Sequence, residues 1–74
     1  MAVSYKKLWK LLIDRDMKKK DLCAAAGISH ASVAKLGKNE NVTTDILLRI
    51  CNVLNCTIAD IVDIVKDESE GIND

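Results

Sequence analysis

Residues 19–36 read KKDLCAAAGISHASVAKL, and the fold follows from how that stretch must bend. Gly27 stands between two helix-forming runs, and glycine takes the left-handed conformation at a helix end without the steric cost other residues carry. Ser29 is a good N-cap, so a new helix is predicted over 30–36. Before the glycine, Cys23, Ala24, Ala25 and Ala26 are small enough to let a second helix press close. Leu22, Ile28, Val33 and Leu36 are spaced to tie both helices to a common core. Two short helices crossing steeply through a tight turn make a helix-turn-helix.

Working outward, Tyr5, Leu8, Trp9 and Leu12 recur at helical spacing, with Leu11 widening the stripe and Ser4 available as N-cap. This first helix is predicted to run to about Asp16, and the next over 18–26. After the third helix, Gly37 opens a loop, GKNEN. Thr43 or Thr44 then caps a fourth helix with Leu47, Ile50, Cys51 and Leu54 on its stripe, and Ile46 and Val53 beside it. That helix is apolar over most of its circumference and is expected to be central, ending at Asn55. Thr57 and Asp60 have capping-box spacing and predict a fifth helix carrying Ile58, Ile61, Val62 and Val65 on one face. The expectation is an all-α, compact five-helix domain over residues 1–66, followed by an acidic flexible tail over 67–74.

At 74 residues the chain has room for one small domain, and 49% hydrophobic residues suffice for a core. One Trp, one Tyr and no Phe make that core aliphatic. Cysteines 23, 51 and 56 each lie in an apolar run and read as buried thiols. A metal site built from them and His30 has poor spacing, so no metal and no cofactor is expected. The single histidine and the lack of a phosphate loop or nucleophile motif exclude an evident enzyme. Asp60 and Asp63 read as a solvated helix face rather than a catalytic pair. No run approaches the roughly 20 apolar residues that span a bilayer, and the N-terminal stretch lacks a signal peptide's apolar run. A cytoplasmic protein with no membrane association and no small-molecule ligand is expected.

The net charge is zero, yet it is unevenly placed. Residues 1–38 hold nine Lys and Arg against three Asp, giving +6, and residues 39–74 carry the compensating −6. Such polarity orients a small protein on a polyanion with its acidic end turned away.

These features together resemble the Cro/repressor-type helix-turn-helix domains, the xenobiotic-response-element family. The likeness covers roughly residues 5–65. It rests on Leu22, Cys23 (usually Ala), Gly27, Ile28, Ser29, Val33 and Leu36, and on Leu54, Asn55, Cys56 and Thr57 ahead of Asp60 and Ile61. The resemblance implies a lambda-repressor-like fold and a small bacterial or phage transcription regulator, a repressor, that binds double-stranded DNA. The helix 30–36 would lie in the major groove, with His30, Ala31, Ser32 and Lys35 at base edges and Ala34 close by. Phosphate contacts would come from Lys19, Ser29, Lys38, Asn39, Asn41 and Thr43, with Thr44 beside it. A homodimer, in solution or formed on DNA, is also implied. The chain departs from the family at Gly37, where Glu is usual, and at Lys19 and Ala31, where glutamines are frequent. The competing reading is a helix-turn-helix scaffold that serves as a protein-interaction module, such as an antirepressor, with little DNA binding.

Overall fold

A computed structural model of the chain describes residues 2–66. Its elements are β1 (Ala2–Ser4), α1 (Lys6–Asp14), α2 (Lys19–Ala26), α3 (His30–Gly37), α4 (Thr44–Leu54), a 3-10 turn (Ile58–Asp60) and β2 (Asp63–Val65). The predicted tail over 67–74 lies outside the described residues.

Local chemistry sets most of the boundaries. Helix α1 starts after Tyr5 rather than after a Ser4 cap, and it ends at Asp14, short of Asp16. Asp16 is itself left-handed, with φ 54, and behind it the Met17 N–H returns to the Leu12 carbonyl at 2.9 Å. That closure satisfies an end carbonyl of the helix and turns the chain out of it. At the start of α2 the Asp21 carboxylate accepts the Lys18 N–H at 2.9 Å, which places negative charge at the positive helix end. Ser29 caps α3 by accepting the Ser32 N–H, and Thr43 caps α4 by accepting the Ile46 N–H at 3.3 Å. Gly37 belongs to α3 rather than to the loop; the left-handed residue that closes α3 is Asn39, with φ 57.

The fifth helix needs correction: the domain is mostly helical, but it has four α-helices rather than five, with a small two-stranded sheet beside them among the described residues. The Thr57 and Asp60 pairing forms as expected: Asp60 accepts from the Thr57 N–H at 2.9 Å and from its hydroxyl at 3.1 Å. It opens only the 3-10 turn. Beyond it the chain extends, and β2 pairs antiparallel with β1, Ala2 opposite Val65, Val3 opposite Ile64 and Ser4 opposite Asp63. Ile61, Val62, Ile64 and Val65 are β-branched, stiff in a helix and well suited to a strand. Given a partner strand, Ile64 and Val65 take it, while Ile61 and Val62 lie between the 3-10 turn and β2.

The core is drawn from every helix. Leu8, Leu22, Leu36, Ile50 and Ile61 are fully enclosed, and Tyr5, Leu12, Val33 and Leu54 complete the layer around them. Enclosing a leucine or isoleucine contributes about 1.5–3 kcal/mol, so these residues carry the stability of so short a chain. Tyr5 joins the loop after α3 to the start of α1. Its hydroxyl donates to the Glu40 carbonyl at 2.7 Å, while its N–H donates to Asn39 Oδ1 at 3.1 Å. Burial pushes the Tyr5 phenol above its ordinary pKa, against a backbone hydrogen bond from Val42. Burial also raises the Cys51 thiol, with the neighbouring Cys56 adding to the shift.

The 3-10 turn is expected to make the domain's stability sensitive to acid. The two Thr57 hydrogen bonds hold the Asp60 carboxyl below the usual aspartate range. A depressed folded-state pKa contributes stability above the unfolded value, and that contribution disappears as pH falls through the folded value. Asp60→Asn is therefore expected to flatten the loss of stability on the acid side of the aspartate range. Denaturant melts of both proteins across that range check this, and parallel pH profiles would show that the Asp60 bonds contribute nothing.

Candidate nucleic-acid interface

The turn between α2 and α3 is built as its residues require. Gly27 has φ 66, and its N–H and that of Ile28 both return to the Cys23 carbonyl, at 3.0 and 3.2 Å. Cys23 and Ala26 are buried where α2 meets its neighbours, and Ile28 seals the turn from beneath. Helix α3 is then held by Val33 and Leu36, both buried, which fixes the side it turns to solvent.

That outer side carries His30, Ala31, Ala34 and Lys35, all exposed. Lys35 offers three N–H donors on a long stem, and Ala31 a methyl group one turn earlier. The other two sequence-predicted base readers have partners within the protein. His30 Nδ1 lies 3.7 Å from Cys23 Sγ, so one ring edge faces α2. Ser32 is half-buried and its hydroxyl sits 3.0 Å from that of Ser29, with the Ser32 N–H on the Ser29 oxygen at 3.1 Å. Ser29 is thus first of all the cap of α3.

The residues expected near phosphates differ in how free their side chains are. Lys19 begins α2 and its ammonium lies 4.7 Å from the centroid of the Trp9 ring. Lys38 follows α3 directly and is exposed. Asn39 has given its side-chain oxygen to Tyr5, which leaves its amide N–H groups for another partner. Asn41 lies beside β1, where it shares a shallow apolar groove with Ala2, Val3 and Ile64. Thr43 is exposed while capping α4.

The basic half of the sequence does not all reach this face. Lys7, Lys10 and Arg15 line a groove with Asp14, Asp60 and Asn55 at the end of α4, and Lys7 donates to the Ala59 carbonyl at 3.3 Å. Conversely, a cation from the acidic half belongs to the motif. Arg49 of α4 donates to the Gly27 carbonyl at 3.4 Å and pairs with Asp45 at 2.8 Å. Neither Arg49 nor the role of the Trp9 ring is visible in sequence, since each depends on two segments meeting in space. Among the described residues, no three His, Cys, Asp or Glu side chains gather as a metal site, and no helix is long and apolar enough to cross a membrane.

With this geometry established, the likeness to known proteins is specific. Residues 7–67 match the family model of the Cro/C1-type HTH DNA-binding domain. The crystal structure of the transcriptional regulator VanUg, Form II, is similar, with a TM-score of 0.85 and 57% sequence identity over 89% of this chain and 88% of that one. No curated protein matches the chain. A four-helix body holding a glycine turn between two short helices, and a family match across most of the sequence, lead to one assignment: the chain belongs to the Cro/C1-type helix-turn-helix DNA-binding domain family.

Proposed function

We propose that the protein is a transcriptional regulator, acting as a repressor, that binds double-stranded DNA sequence-specifically with α3 in the major groove. The observation that carries this reading is the outer side of α3, where Ala31, Ala34 and Lys35 stand clear of the core on a helix fixed from within by Val33 and Leu36. A rigid helix with a few free side chains is what direct readout of base edges needs. Lys35 donates to guanine O6 or N7, Ala31 meets a thymine methyl, and Ser32 and His30 reach the edge of the same site. Lys19, Ser29, Lys38, Asn39, Asn41 and Thr43 grip the backbone on either side, fixing register without reading sequence. Repression follows from occupancy, since a protein seated in the groove denies it to others. The 57% identity to the transcriptional regulator VanUg supports the same reading.

The protein binds as a homodimer assembled on DNA, so its operator is expected to hold two half-sites about one helical turn apart. Fluorescence anisotropy with a randomised duplex pool, at low and at physiological salt, tests the function. Affinity that falls steeply with salt is expected, because each phosphate contact releases counterions. No binding at low salt would overturn the DNA reading and point to a protein-interaction module on the same scaffold.

A further inference from the structure

We propose that Trp9 is a positioning residue for DNA binding: its ring holds the Lys19 ammonium at the seam of α1, α2 and α3, aimed at a backbone phosphate. The inference rests on the reading that Lys19 meets DNA and adds how it is made ready to do so. Three observations converge on the seam. The Lys19 ammonium lies 4.7 Å from the centroid of the Trp9 ring, within the range of a cation–π contact, and Trp is the best ring for it. Trp9 is half-buried, so it packs into the core while still offering a face to the ammonium. Gly37, in the last turn of α3, is also close by: an added Cβ there would lie 3.8 Å from the Lys19 nitrogen.

Gly37 is helical and needs no special backbone conformation, so its consequence here is space. The ammonium therefore lies over an electron-rich ring and close to the last turn of α3, the negative end of that helix, and both attract it. A free lysine on a four-carbon stem loses rotamer freedom when it docks on a phosphate. Held by Trp9, Lys19 has lost much of that freedom already, which lowers the cost of binding. Its three N–H groups are not consumed by the ring, because a cation–π contact is electrostatic and leaves donors free for phosphate oxygens.

The test uses the full chain and four variants, Trp9→Phe, Trp9→Leu, Lys19→Met and the Trp9→Leu/Lys19→Met double variant, with a random-sequence duplex at low salt. Trp9→Leu is expected to weaken binding about two- to fivefold on every sequence, the size of an exposed cation–π contact. Trp9→Phe restores most of the loss, and in the Lys19→Met background Trp9→Leu has no further effect. A loss of equal size in both backgrounds would mark Trp9 as merely structural and overturn the proposal. A wild-type protein that does not bind overturns this inference and the DNA reading together, whereas binding with additive losses overturns only the role of Trp9. Should Trp9→Leu fail to fold, emission from Trp9, the chain's one tryptophan, carries the test. Duplex is expected to shift that emission in the wild type and to leave it unchanged in Lys19→Met. An unmoved wild-type spectrum, or an equal shift in both proteins, overturns the proposal.

Discussion

Leu36→Ala is expected to cost about 2–5 kcal/mol, the largest loss of any single truncation on α3. Leu36 is fully enclosed, and it faces the core from the same helix whose other side is free. Removing three carbons there loses transfer free energy and leaves a cavity that a close-packed interior fills only in part. A domain of this length holds roughly 4–11 kcal/mol in all, so the variant would sit at the edge of folding. The melting temperature is expected to fall by more than about 10 °C. Two controls make the cause plain. Leu36→Met keeps the volume and costs less than about 1.5 kcal/mol. Ile13→Ala, at a side chain 73% exposed, stays within about 0.5 kcal/mol. If the melting temperature of Leu36→Ala matched that of Ile13→Ala, Leu36 would not be what anchors α3.

The second large effect concerns recognition. Lys35→Ala is expected to weaken binding to the preferred site about tenfold to a hundredfold, the loss of one good base contact. On random duplex the same change costs only the share of a single charge. The contrast follows from position: Lys35 projects from the outer side of α3, while Val33 and Leu36 hold the helix from within. Lys19, by contrast, sits at the start of α2, and Lys19→Ala should weaken all sequences alike and reduce the log–log salt slope by about one unit. Paired titrations of both variants on the selected and on a scrambled site separate the two roles. Equal losses for Lys35→Ala on the two duplexes would remove it from the base-reading set.

Much of the motif is legible in the amino-acid sequence, because its signals are local. The left-handed turn at Gly27, the caps at Ser29 and Thr43, and the left-handed close at Asn55 each depend on a residue and its near neighbours. The buried stripe of Leu22, Val33, Leu36, Ile50 and Leu54 follows from helical periodicity alone. The candidate site is legible as a helix with a free side, since the positions of Val33 and Leu36 decide which residues remain outside. Which of those residues are already engaged is not. Ser32 leans on Ser29, His30 faces Cys23, and Asn39 is tied to Tyr5, each by a contact whose geometry the sequence does not state.

What the sequence by itself determined, then, is the run of four helices and the turn that defines the family, because hydrogen bonds and periodicity within a few residues specify them. What only the tertiary structure decided is the fate of residues 58–65 and the partners of the charged side chains. Ile58, Ile61, Val62 and Val65 have helical spacing, yet Ile58 stops in a 3-10 turn, and the β-branched Ile64 and Val65 join a strand once Ala2–Ser4 lies alongside. That partner strand comes from the opposite end of the domain, and no local pattern announces it. The charges obey the same rule. Lys7, Lys10 and Arg15 share a groove with Asp14 and Asp60, Arg49 reaches back to Gly27, and Lys19 settles on Trp9. Local conformation is chosen by neighbours in sequence, whereas strand pairing and electrostatic partnership are chosen by neighbours in space.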